Sequence, residues 1–130
     1  MSLKRLSRDT RGGSSLEVAA TMPLFLTLTF GTVMVGLLMW IQVGLQHGVE
    51  MAARCASINT TLCNNTTNIQ NFAAQNAYGL NPPPSTFSVS TPSCGNRVSA
   101  SYSFNYLTNY FFSAPSLTLT AQSCYPAGQP

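Results

Sequence analysis

One carboxylate, Glu17, stands at the edge of the longest apolar stretch of the sequence, and residues 18–45 after it carry no charge. A helix of about 20 residues crosses the hydrocarbon core of a bilayer, so this stretch is long enough to span a membrane. A charge inside such a helix is costly and usually marks a functional site with a partner. Glu17 is therefore the first candidate functional residue. The alternative is a carboxylate solvated at the headgroup boundary without any partner.

Few side chains beyond the first twelve residues could take part in catalysis. That part of the chain has one histidine, His47, and no aspartate, which excludes Ser/His/Asp and Cys/His/Asp triads. Its two carboxylates, Glu17 and Glu50, stand roughly 50 Å apart on one helix that rises ~1.5 Å per residue. No glycine-rich phosphate loop is present. We expect neither an enzyme nor a cofactor.

The net charge of +3 belongs to residues 1–12, because the four charged residues after Gly12 cancel. A nucleic-acid-binding surface needs basic residues on the folded part of the chain. Only Arg54 and Arg97 are available there, so nucleic acid is not expected as a partner. The basic segment should remain cytoplasmic under the positive-inside rule, which places the chain after about residue 46 outside.

Four cysteines follow the apolar stretch and none precedes it: Cys55, Cys63, Cys94 and Cys124. An even number confined to the exported part predicts disulfides in an oxidising compartment. Their spacing contains no CxxC pair of the kind that structural zinc sites use, so no metal is expected.

Two helices are predicted in the first part of the chain. The first runs from about Ser14 to Ser57, and its second part leaves the membrane as an amphipathic stem. An Asn/Thr-rich loop then leads to a short helix, capped by Thr66 or Thr67 and ending near Tyr78 before glycine and proline. Within the first helix, the glycines of a GxxxG pattern at 44–48 would permit close helix approach. Trp40 is expected at the outer membrane boundary as an interfacial anchor.

Three later segments alternate apolar and polar residues with period two, which predicts an antiparallel β-meander with one face packed on the stem. The fold class is therefore α+β: a long membrane-spanning helix, a short helix, and a small three-stranded sheet held by disulfides. We expect a basic leader at 1–12, a transmembrane helix at 13–57 and an extracytoplasmic head at 58–130.

The meander favours one pairing of the cysteines. The turn before its second strand, which contains Cys94, should lie near the end of its third strand, which contains Cys124. Cys55 and Cys63 would then close a small loop at the outer end of the stem. All three pairings remain formally open, and a Cys55–Cys124 bond would instead place the last strand beside the stem.

The stretch RGGSSLEVAATMPLF, residues 11–25, resembles the processing site and N-terminal helix of TadE-like pseudopilins, minor components of the tight-adherence (Tad) branch of type IV pili. That family shows an Arg-Gly, small residues, then Glu and an apolar run with a proline six residues later. The resemblance implies cleavage by a prepilin peptidase between Gly12 and Gly13, which makes Glu17 the fifth mature residue. Pro23 occupies the proline position and should kink the helix. Val18 departs from the phenylalanine that the family often has.

The same resemblance implies a pilin-like fold and a partner for Glu17, the new amine of Gly13 in a neighbouring subunit. It implies a structural minor pilin that serves adhesion or pilus biogenesis. The protein would first occupy the bacterial inner membrane with its N-terminus in the cytoplasm, and later the periplasmic or extracellular pilus. Its partners would be other pilin and minor-pilin subunits and the prepilin peptidase.

Two other functions remain open: a single-pass anchored protein whose head binds a partner, and a secreted domain released by signal peptidase. A contact surface of the head is expected at Tyr110, Phe111 and Phe112. These residues are consecutive, so a two-residue period cannot bury all three on one face. The alternative is that their loop folds back and buries them in the core.

The processing site gives the first testable prediction. Gly12→Val should block cleavage, because a bulky residue replaces the glycine before the scissile bond, and should leave the full-length precursor in the membrane. Mass spectrometry of the mature N-terminus measures this directly. We expect Gly13 as the first residue of the wild-type chain, and normal maturation of Gly12→Val would contradict the assignment.

Overall fold

The fold was analysed in a computed structural model, which describes residues 13–104 and 116–128. The first helix, α1, spans Gly13–Ile58 and the second, α2, spans Thr66–Gln75. A single 3₁₀ turn, Pro84–Thr86, leads into the three strands: β1 (Phe87–Ser90), β2 (Asn96–Phe104) and β3 (Leu117–Tyr125). The predicted α+β fold is confirmed. Two compact units divide the chain, an N-terminal unit (Met1–Leu38) and a head unit (Met39–Pro130).

Within the head unit, α1 buries one stripe of side chains at helical spacing, which includes Ile41, Leu45, Val49 and Ala52. Residues at such intervals lie on one face of a helix, so the predicted amphipathic stem is present. The helix ends where Asn59 uses its side-chain oxygen to accept a hydrogen bond from the Leu62 amide, 3.0 Å away. This side-chain acceptor favours a turn over another turn of helix.

Helix α2 differs from the prediction at both ends. Its N-cap is Asn65, whose side-chain oxygen accepts from the Asn68 amide at 2.8 Å, rather than either of the threonines that follow. Asparagine ranks among the best N-cap residues, above threonine. The helix ends at Gln75, three residues earlier than expected. Asn76 is its C-cap, and both its backbone amide and its side-chain amide donate to the Phe72 carbonyl.

Close approach of α2 and of the segment after it to α1 depends on the two glycines of the GxxxG pattern. A Cβ added at Gly48 would lie 2.8 Å from the carbonyl oxygen of Ala73. One added at Gly44 would lie 3.0 Å from the carbonyl oxygen of Ala77 and 2.7 Å from a methyl group of Leu80. The pattern therefore serves packing inside the head unit, where backbone meets backbone.

The sheet is an antiparallel meander in the order β1–β2–β3, as predicted. Its inward-facing residues complete the core with the stripe of α1 and with small residues of α2; they are Phe87, Val98, Ala100 and Ala121. On the other face, Ser88 and Ser99 lie opposite each other and their hydroxyls are 2.8 Å apart. This alternation is that of a sheet with one buried and one solvated face.

A helix side chain reaches each outer strand of the sheet. The side-chain amide of Gln70, on α2, donates to the Phe87 carbonyl of β1 at 2.7 Å. That of Gln42, on α1, donates to the Thr120 carbonyl of β3 at 2.8 Å. Edge strands expose unpaired backbone groups that invite association with other chains. These two glutamines occupy part of both edges.

Two disulfides join Cys55 to Cys63 and Cys94 to Cys124, with Cα separations of 5.9 and 6.3 Å. This is the pairing that the meander favours. Cys55 and Cys63 are buried at the end of α1, whereas Cys94 is exposed in the β1–β2 turn. The first bond fixes the exit of α1, and the second ties that turn to the end of β3.

The difference in burial predicts an order of reduction. Under native conditions and a mild thiol reductant, Cys94–Cys124 should open first, because a reductant must reach the sulfur that it attacks. Timed alkylation followed by peptide mass spectrometry would measure both bonds in one sample. Simultaneous loss of the two bonds, or earlier loss of Cys55–Cys63, would contradict this order.

Gly48→Ala should destabilise the head unit by roughly 1–3 kcal/mol, because the new methyl group has to displace the backbone of α2. Gly36→Ala is the matched control: it also lies in α1, and no heavy atom outside its own helix backbone comes within 4 Å of its added Cβ. Thermal unfolding of the detergent-solubilised chain, followed by near-ultraviolet circular dichroism, measures both variants. Equal melting of the two would exclude the close packing described here.

Candidate functional site

The described part of the N-terminal unit is a helix with apolar side chains exposed on all sides. Leu16, Leu24, Phe25 and Leu28 are each at least 63% exposed, and most of their apolar neighbours are also exposed. A helix that is apolar around its whole circumference suits a membrane or a helix bundle rather than water. Within residues 13–104 and 116–128, α1 alone is long and apolar enough to cross a membrane.

Glu17 lies one helical turn after Gly13, and both are exposed. Residues four apart lie on the same face of a helix, about 6 Å apart along its axis. No other charged residue occurs between Gly13 and Val49. The site is thus a single carboxylate one turn from the first described residue of an apolar helix.

Threonine hydroxyls along the same helix bond to the helix itself. Thr21 donates to the Glu17 carbonyl at 2.9 Å, Thr27 to the Pro23 carbonyl at 2.7 Å, and Thr29 to the Phe25 carbonyl at 2.8 Å. Polar groups in a bilayer must find partners within the protein, and such back-bonding provides them. The threonines that interrupt the apolar run are therefore compatible with a membrane.

Pro23 lies inside α1, and the helix continues through it to Ile58. A proline has no amide hydrogen, so the Ala19 carbonyl lacks its usual helical donor. The Pro23 carbonyl itself accepts the Thr27 hydroxyl. Proline is tolerated in membrane helices where such local side-chain bonds replace lost backbone bonds.

Several predicted site residues fall outside this helix or outside the described residues. Gly12 and the aromatic residues Tyr110, Phe111 and Phe112 are not among the described residues. The four cysteines belong to the head unit, where they form the two disulfides. In the described ranges, no group of three His, Cys, Asp or Glu side chains gathers as a metal site would require.

One contact in the head unit was not anticipated from the sequence. The ring of His47 donates from Nδ1 to the Asn76 carbonyl, 2.8 Å away, and stacks on Tyr78 with centroids 4.3 Å apart. Tyr78 has a positive φ of 46° and Gly79 one of 77°, so the chain reverses here after α2. Gly79 indicated in the sequence that the chain turns here, but no local pattern predicted the contact of this turn with His47.

A long apolar helix that carries one carboxylate near its start fits association with a membrane, and the chain after it folds into a small disulfide-bonded α+β head. The family model described as TadE-like protein matches residues 12–54, about a third of the chain. The predicted TadE-like resemblance is thereby confirmed over the segment that carries Glu17 and Pro23. This family is a structural one associated with the Tad pilus system. No curated protein and no solved structure matches the chain.

Proposed function

We propose that this protein is a minor pilin, or pseudopilin, that assembles through its N-terminal helix into a Tad-type pilus and serves adhesion or pilus biogenesis. The observation that carries the proposal is Glu17, the one carboxylate in the exposed apolar part of α1 before Met39, five positions after Gly12 and within the TadE-like match. The proposal assigns the protein a structural and not a catalytic role.

Proteolytic processing would create the positive charge that Glu17 pairs with. Cleavage between Gly12 and Gly13 by a prepilin peptidase would remove the basic leader, which holds the precursor with its N-terminus in the cytoplasm. It would also give Gly13 a free amine. A helix that begins at Gly13 already has amide groups without carbonyl partners, so its start carries partial positive charge. The new ammonium group adds a full charge there.

Assembly would then pair the Gly13 amine of one subunit with Glu17 of its neighbour. Both charges are unfavourable in a low-dielectric surrounding when alone, and each supplies what the other lacks. Coulomb attraction is strong where water is scarce. Desolvation of the two groups offsets much of that gain, so the net contribution is smaller than the attraction alone.

Other parts of the chain would have supporting roles. Pro23 would shape the assembly helix, and the two disulfides would hold the head in an oxidising compartment. Residues 13–57 would form the transmembrane and assembly helix and residues 58–130 the head, in the inner membrane first and in the pilus afterwards. Partners would be other pilin subunits, with Tyr110, Phe111 and Phe112 as a contact surface of the head.

Glu17→Gln tests the proposal. We expect membrane insertion and cleavage to remain intact, because removal of a charge lowers the cost of insertion. Incorporation into the sheared pilus fraction should fall, and a loss of about 1.4 kcal/mol per contact would lower the assembly equilibrium tenfold. Quantitative immunoblots of the membrane and pilus fractions measure both effects.

Glu50→Gln is the matched control, since this carboxylate is exposed in the head unit and accepts a hydrogen bond from Gln46 at 2.9 Å. It should assemble as the wild type does. If Glu17→Gln also assembled normally, Glu17 would be a boundary residue without a partner and the pairing would be wrong. An anchored binding protein, in contrast, would keep its leader and would never enter a pilus fraction.

A further inference from the structure

We propose that, before assembly, one end of the head unit rests on the outer leaflet of the phospholipid bilayer through four exposed residues, Trp40, Val43, Tyr78 and Leu117, here called the apolar rim. The inference rests on the proposed function in one respect, that α1 crosses the inner membrane. It adds a second contact with the same membrane, made by parts of the head that are distant in sequence from the helix.

The chain after α2 packs on α1, and this places Tyr78 beside His47 on the Met39 side of the charged residues. The His47 ring donates a hydrogen bond to the Asn76 carbonyl at 2.8 Å and stacks on the Tyr78 ring. Trp40 precedes His47 by seven residues, two helical turns or about 10 Å along the axis. The two side chains remain 61% and 52% exposed, so neither is needed for the core.

Leu117 reaches the same end because β3 runs along α1 in a fixed direction. Near the far end of β3, the Tyr125 carbonyl accepts from the Ser57 hydroxyl at 3.3 Å. Nearer its start, Thr120 contacts Gln42. Leu117 lies three residues before Thr120, about 10 Å farther toward the Met39 end at ~3.3 Å per residue. It is 48% exposed.

The charged residues of the head unit all lie on the Ile58 side of the rim and begin at Glu50. The head unit has three charged residues, Glu50, Arg54 and Arg97. The first two follow Val43 by two and three helical turns. Arg97 adjoins Asn96, whose side chain donates to the Ala56 carbonyl at 3.1 Å. No charged residue therefore separates the apolar rim from the apolar part of α1.

These features favour lipid as the occupant. Tryptophan and tyrosine prefer the membrane–water interface, where the ring is desolvated and its polar group remains wet. The rim also begins on α1 itself, at Trp40 and Val43, directly after the residues that would cross the bilayer. A second copy of the chain could cover the same side chains, but it would not account for the continuity with the membrane-crossing segment.

Lipid-attached quenchers test the contact. Trp40 is the only tryptophan of the chain, so Trp40→Phe gives a silent background. The reporters Tyr78→Trp and Leu117→Trp and the control Met51→Trp are introduced into this background. Met51 is an exposed residue of α1 beside the charged residues. Each full-length chain is reconstituted in phosphatidylethanolamine–phosphatidylglycerol vesicles with or without nitroxide on carbon 5 of the acyl chains. Fluorescence loss is compared with that from aqueous iodide.

We expect both reporters to lose fluorescence to the nitroxide lipid as Trp40 of the wild type does, while Met51→Trp is quenched mainly by iodide. If Trp40 is quenched by lipid but either reporter behaves like Met51→Trp, the proposed lipid contact of the apolar rim is wrong, whereas the membrane crossing of α1 is supported. If a reporter is shielded from iodide without lipid quenching, a second copy covers it and the proposal fails. If Trp40 itself escapes the lipid quencher, the membrane crossing on which both proposals rest fails.

Discussion

Two glycines on α1 let the backbone of α2 come close enough for the head to form. At Gly44 and Gly48, α1 meets the carbonyl oxygens of Ala77 and Ala73, where a methyl group would collide. Most of the core side chains here are small, so the head has little apolar volume and depends on short distances rather than on large residues. The same contact places the chain after α2, including Tyr78, against α1. The close approach of these backbones thus determines both the packing of the head and the position of Tyr78 beside His47.

A second constraint would act on the N-terminal part of α1 in a membrane, where polar groups have to be satisfied without water. The threonine hydroxyls meet it locally by donating to carbonyls of their own helix. Glu17 has no such local solution for its charge, because a carboxylate needs a cation or several donors. That difference supports the proposal that Glu17 is a functional residue and that the threonines are not. In the proposed pilin, the missing cation comes from the processed N-terminus of another subunit.

The two parts of α1 therefore have different surfaces. Its first part exposes apolar side chains all round, whereas its second part buries a single stripe and presents Gln42, Gln46 and Glu50 on its polar sides. Gln42 and Gln70 then occupy carbonyls on the two edges of the sheet. These bonds cover part of the edges of a three-stranded sheet that would otherwise be open to pairing with other chains.

The sequence by itself determined the α+β class, the long apolar helix, the three-strand meander and the TadE-like segment. Each depends on local information: unbroken apolar length, period-two alternation, or the spacing of Gly12, Glu17 and Pro23. Strand order also favoured the disulfide pairing that the structure has, although it left the other two pairings open. The tertiary structure determined the features that depend on the distance between particular atoms in the folded chain. It gave the α2 cap to Asn65, whose side chain reaches the right amide. It directed the GxxxG glycines toward α2, and it brought Tyr78 onto His47 from 31 residues away. The contacts of the glycines and of Tyr78 have no periodic signal in the sequence, because they exist only once two elements pack.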